Sequence, residues 1–134
     1  MKRVIIFAVM LLCAMPLSAQ DNIKKETFLF ATNDGVELFL DRYTSTTTYT
    51  TQQPAMIFAF GGGFKMGARD EASYQNFLTE MAENGVVGMS IDYRLGLAGV
   101  QEKSLIKLAN YMVHSITMAV EDMASAVEFV LKNA

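Results

Sequence analysis

Apolar residues along this chain follow two rhythms, a strand period of two in the first third and a helix period near 3.6 further on. Phe28-Leu29-Phe30-Ala31, then Thr32-Asn33-Asp34-Gly35, then Val36 to Tyr43 reads as strand, turn, strand. Asp34-Gly35 is a hairpin signal, because glycine tolerates the positive φ that a tight turn demands. Val36, Leu38 and Leu40 alternate with Glu37, Phe39 and Asp41, which predicts a half-buried second strand. Thr44 to Gln53 is polar and threonine-rich, without a helical period, and is expected to be an exposed connector whose near end extends the strand.

Pro54 to Phe60 is apolar on both faces, as a strand of a sheet covered on both sides should be. Tyr74, Phe77, Leu78 and Met81 recur at helical spacing between Asp70 and Glu83. Asp70 and Glu71 stand at the start of that segment, where the helix dipole favours negative charge. Asn84-Gly85 supplies a stop. Val86 to Ile91 is a second continuous apolar strand. Lys103 to Lys132 is helical in pattern and is expected in two segments. Ile116, Ala119, Val120, Met123, Val127, Val130 and Leu131 share one face, with Glu121, Asp122, Glu128 and Lys132 opposite.

The predicted order is hairpin, strand, helix, strand, helix. Strands that alternate with helices argue for an α/β architecture, a parallel sheet with helices on its faces. The leading hairpin gives that sheet an antiparallel edge.

The N-terminus follows another logic. Lys2 and Arg3 precede an apolar run from Val4 to Met15, and Pro16-Leu17-Ser18-Ala19 closes it with small residues. This is the layout of a secretory signal peptide, with cleavage expected after Ala19 and export across a membrane as the result. The apolar run is shorter than the ~20 residues that a membrane-spanning helix needs, so no stable membrane anchor is expected after cleavage. Losing Lys2 and Arg3 takes the eleven basic groups to nine, against fourteen acids, a charge of −5. Such a chain has no electrostatic footprint for nucleic acid. Cys13, the one cysteine, leaves with the leader. Residues 20–134 therefore have no disulfide, no thiolate nucleophile and no cysteine ligand for a metal. No cofactor is implied.

The candidate chemistry is concentrated in Phe60-Gly61-Gly62-Gly63-Phe64. Each glycine costs roughly 0.5–1 kcal/mol relative to alanine in ordered backbone, so a run of three needs a reason. In parallel α/β sheets ligands bind outside the carboxyl ends of the strands, and glycines there let main-chain N–H groups approach a bound group. A phosphate cradle would need G-x-G-x-x-G or G-x-x-x-x-G-K-[ST], and neither spacing is present. An oxyanion hole needs adjacent N–H donors aimed at one oxygen. A loop that merely admits close helix packing would use the same glycines.

Gly61-Gly62-Gly63-Phe64 after an apolar strand resembles the H-G-G-G-type motif of esterases and lipases with the α/β-hydrolase fold. Val87 to Leu95, ending Asp92-Tyr93-Arg94-Leu95, is similar to the next strand of that family. Asp122 to Val130 is similar to the helix before its nucleophile strand. The resemblance covers roughly residues 27–134. It implies the N-terminal portion of an α/β-hydrolase sheet, with Gly62 and Gly63 as backbone oxyanion donors and Gly61 shaping the turn. Phe60 departs from the pattern, which has histidine in the lipase-type motif and an aromatic residue in some carboxylesterases.

No G-x-S-x-G elbow occurs, and Ser90, followed by Ile91-Asp92, is not one. His114 precedes any nucleophile position, whereas the family's triad runs serine, acid, histidine. Asp92 and Arg94 are expected to fix the turn after their strand. Residues 20–134 are thus expected to be a partial α/β-hydrolase domain that lacks the nucleophile elbow and everything after it. Catalytic residues would lie beyond Ala134, and this segment alone should have no turnover. The complete protein would act on a small-molecule ester by acyl transfer. A non-catalytic α/β binding module, or a peptidase of the same fold, is the alternative. In that sheet order residues 55–60 lack a neighbour on one side, so self-association through the open edge is expected.

Overall fold

The structure, a computed structural model, describes residues 22–47, 49 and 51–134. The leader-like segment 1–19 and its cleavage point lie outside the described residues. Strands β1 (Ile23–Asn33) and β2 (Val36–Ser45) form the hairpin, and β3 (Ala55–Ala59) leads into the glycines. Helix α1 (Ala72–Glu83), strand β4 (Val87–Ile91) and helix α2 (Leu105–Lys132) complete the order. The sheet runs β1-β2-β4-β3, antiparallel across β1/β2 and β2/β4 and parallel across β3/β4. It is a mixed sheet with one helix packed on each face.

The hairpin turns where Asp34-Gly35 predicts, with φ of 50° and 77°. Both residues are left-handed, as a tight turn between twisted strands requires. The two cores lie on opposite faces of the sheet. Tyr43, Leu78 and Ala82 pack under α1, while Leu40, Met89, Ile91 and Ala126 pack under α2. Gly88 faces α1 so closely that a Cβ there would stand 3.0 Å from a Leu78 methyl and 3.2 Å from its carbonyl oxygen. Close helix–strand approach explains a glycine inside a strand.

Three expectations need correction. First, β2 is not half-buried: Leu38 and Leu40 are buried on one face and Asp41 and Tyr43 on the other. It sits between β1 and β4, and ion pairs let Asp41 go under. Second, α2 is one helix of 28 residues rather than two. Third, its rotation differs from the apolar pattern. Asp122 is fully buried, whereas Ile116, Val120, Val127 and Leu131 are exposed. The helix is apolar over a wide arc, and the buried Arg94 draws Asp122 inward against that pattern. Helix α1 also begins at Ala72, leaving Asp70 and Glu71 ahead of its first turn.

Among the described residues, strand β3 pairs only with β4 and forms one edge of the sheet. The Thr44–Gln53 connector gives its first two residues to β2. No described helix is long and apolar enough to cross a membrane.

Candidate oxyanion loop

The loop from Phe60 to Asp70 leaves the carboxyl end of β3 and returns to α1. Its entry is fixed by aromatic packing. Phe60 is buried and stacks on Tyr93 at 4.5 Å between ring centroids. The Tyr93 hydroxyl donates to the Phe60 carbonyl at 2.7 Å. Burial raises the Tyr93 pKa, as does the nearby Tyr74 hydroxyl, which keeps the group a donor at neutral pH. Where the lipase-type motif has an imidazole, this chain therefore anchors the loop by a stacked ring pair.

Within the loop, backbone conformation is specified residue by residue. Gly62 (φ 142°), Gly63 (φ 62°) and Gly67 (φ 109°) all have positive φ, and Phe64 (φ 61°) follows them into the left-handed region. A non-glycine residue there carries strain of order 1–2 kcal/mol. A Cβ on Gly62 would overlap the Met66 carbonyl, and one on Gly67 would stand 2.6 Å from both the Gly61 carbonyl oxygen and the Phe60 ring. Gly63 meets nothing within 4 Å, so its demand is conformational only. The Gly62 carbonyl accepts from Lys65 and Met66, and the Leu97 N–H donates to the Phe64 carbonyl at 2.9 Å.

The donors are not used in the same way. Among the described residues, no protein acceptor takes the N–H of Gly61, Gly62, Gly63 or Phe64. A shallow pocket of about 200 Å³ opens beside them. Gly61–Phe64 line it with Phe60, Tyr93, Ile91 and Ala59, and Ala119 and Met123 of α2 form its far wall. Backbone donors in the lining of a small, mostly apolar pocket suit a polarised oxygen, whose charge is worth more where water is scarce.

The remaining sequence candidates divide cleanly. Asp92 and Arg94 are held in ion pairs rather than in this pocket. Arg94, 8% exposed, donates from Nε to both Asp122 oxygens at 2.9 and 3.0 Å and pairs with Asp34 and Glu121 as well. The Asp122 hydrogen bonds, followed by those to Glu121, push its pKa above the ordinary arginine value. Asp92 accepts from the Phe39 N–H at 3.1 Å and from Arg69 at 2.6 Å. His114 is exposed on α2. Ser90 is fully buried and donates to the Arg69 carbonyl. Three or more His, Cys, Asp or Glu side chains do not gather in metal-binding geometry among the described residues.

Sequence reading did not single out Arg69, Tyr93 or the α2 wall as parts of this site. Arg69 finds its partners 28 and 23 positions away, at Asp41 and Asp92. No local pattern reports a contact of that range. The aromatic Phe60 at the motif's first position was the available clue to Tyr93.

No family model matches the chain. It is 32% identical over 77 residues to the non-reducing polyketide synthase ausA of Emericella nidulans, a match over 56% of this chain and 3% of that protein. It is 28% identical over 80 residues to gut esterase 1 of Caenorhabditis elegans, covering 60% of this chain and 13% of that one. Among solved structures it is similar to a thermophilic esterase of the planctomycete Thermogutta terrifontis. The TM-score is 0.60 with 26% identity, over 79% of this chain and 33% of the esterase. Brefeldin A esterase, a bacterial homologue of human hormone sensitive lipase, superimposes with a TM-score of 0.62 at 21% identity, over 87% of this chain and 28% of its own. The chain thus spans about a third of the esterase structures and a much smaller share of the curated relatives.

Proposed function

For a chain with the fold of the N-terminal part of an α/β-hydrolase esterase, we propose that its glycine loop is the oxyanion hole of an ester-hydrolysing enzyme. Gly62 and Gly63 donate their N–H groups to the tetrahedral intermediate, and Gly61 turns the chain out of β3. The observation that carries this reading is the set of backbone donors without a protein acceptor, among the described residues, in the pocket-lining segment at the carboxyl end of β3. Acyl transfer puts negative charge on the former carbonyl oxygen, and donors already in place stabilise it without reorganising. Structures of the Thermogutta esterase are propionate-bound, butyrate-bound or phosphonylated by sarin, which supports acyl chemistry for this fold.

The nucleophile, acid and base come from sequence other than residues 22–134, which contain no G-x-S-x-G elbow. The leader-like N-terminus directs export. The bare edge of β3, five apolar residues long, pairs with a second copy of the chain when nothing else covers it. Sedimentation checks this: dimers are expected, and Ala59→Lys, at an exposed edge position, should yield monomers.

The functional test has two arms. The chain alone should give no fluorophosphonate adduct. A chimera in which residues 22–134 replace the matching third of the Thermogutta esterase should hydrolyse p-nitrophenyl butyrate. In that chimera Gly62→Ala should lower kcat by about 10²–10³, the usual loss for one oxyanion donor. Unchanged kcat would remove the oxyanion role.

A further inference from the structure

Both ends of the glycine loop are tied down, and the second tie uses charge. Loop residues Phe60 and Gly67 touch, since the space beside Gly67 is filled by the Phe60 ring. Two residues later the backbone meets the sheet: the fully buried Ser90 hydroxyl of β4 donates to the Arg69 carbonyl at 2.9 Å. The Arg69 side chain then reaches across the sheet end. Its Nη1 donates to Asp92 at 2.6 Å, its Nε lies 3.3 Å from Asp41, and the guanidinium stands 5.6 Å above the Phe39 ring.

These partners are themselves held by further contacts. Asp41 is fully buried in the interior strand β2, where Thr27 donates to it at 2.6 Å and Lys25 pairs with it at 3.1 Å. Asp92 follows β4 directly and accepts the Phe39 N–H of β2. One guanidinium thus joins the loop's exit to both interior strands. Arginine suits the place, because its planar fork can address two carboxylates at once where an ammonium acts as a single point charge. Phe64, in the left-handed region with its N–H unpaired, needs such an outside constraint to keep its conformation.

We propose that Arg69 is a positioning residue, whose bridge between Asp41 and Asp92 holds Gly62, Gly63 and Phe64 in their donor geometry. The catalytic part of this claim rests on the oxyanion reading above; the conformational part does not. Substituting Lys25 provides the matched control, since it also removes a cation from Asp41 but touches no loop residue.

The experiment is ¹⁵N relaxation on the labelled chain. The amides of residues 62–64 should have order parameters near about 0.85, typical of rigid backbone, falling below about 0.6 in Arg69→Gln. In Lys25→Met they should stay rigid. Equal loosening in both variants, or rigidity in both, would overturn the proposal. If Arg69→Gln fails to fold, Arg69→Lys leaves a single point charge that cannot address both carboxylates and should still loosen residues 62–64; full rigidity there would be equally fatal. In the esterase chimera, Arg69→Gln should lower kcat about tenfold with KM unchanged. A loosened loop with unchanged kcat would keep the positioning claim and reject the oxyanion reading instead.

Discussion

Arg94 and the glycine loop lie one residue and one ring apart, on either side of Tyr93, yet they treat polar groups in opposite ways. Around Arg94 the donors have partners: Asp122, Glu121, Asp34 and the Met118 carbonyl surround the guanidinium, and Asn33 and the Arg94 N–H complete Asp122. In the loop four consecutive N–H groups have no protein acceptor among the described residues, and one non-glycine residue is held in strained backbone. The first arrangement joins hairpin, β4 and α2. The second leaves those donors open, and on the proposed reading they await a ligand oxygen. A polar cluster closed on itself is architecture, whereas open donors beside a pocket are what the proposed oxyanion role requires.

Breaking the Arg94 cluster should have the largest effect on stability. Arg94→Met leaves a fully buried Asp122 without its cation, a change that typically costs about 3–5 kcal/mol. Urea unfolding measures it. Replacing both partners, Arg94→Met with Asp122→Leu, should recover most of the loss, because removing a buried pair together costs far less than orphaning one member. If the double variant were as unstable as the single, the cluster would be doing something other than satisfying itself.

The loop should respond in the opposite sense, mildly in stability and strongly in chemistry. Gly63→Ala meets no atom, so its stability cost is the left-handed backbone alone, about 1–2 kcal/mol. Gly62→Ala collides with the Met66 carbonyl and should displace the donors themselves. In the chimera, a larger fall in kcat for Gly62→Ala than for Gly63→Ala would sharpen the contrast between the two regions.

Acid should loosen the loop's anchor as well. Burial opposes the charge on Asp41, but the hydrogen bonds from Thr27 and Lys25, with the Arg69 charge, hold its pKa below the usual 3.8. A depressed carboxyl pKa contributes stability that is fully present above the unfolded value and lost as pH falls through the folded one. Stability should therefore not change through Asp41 between neutral pH and about pH 4, and its share should fall away below that. Asp41→Asn should flatten the acid limb of a pH-dependent urea titration; an unchanged limb would mean that another carboxylate governs it.

Much of this was legible in local pattern. The hairpin at Asp34-Gly35, the apolar strand into three glycines and the strand before Asp92 all depend on near neighbours and side-chain period. The rotation of α2 was not legible, since Asp122 goes inside on account of Arg94, 28 positions earlier. Read by hydropathy alone, Asp122 belongs on the wet face. Arg69 was invisible for the same reason: the carboxylates that use it sit on β2 and just after β4. Local sequence specifies elements and loop conformation, while long-range charge pairs decide which way the elements turn.

The most direct measurement is the crystal structure of the esterase chimera after reaction with an organophosphonate, whose phosphonyl oxygen stands in for the oxyanion. That oxygen should lie 2.7–3.1 Å from the N–H nitrogens of Gly62 and Gly63, the separation expected of oxyanion donors. If it points away from the loop and leaves both N–H groups unpaired, the glycine run is not an oxyanion hole.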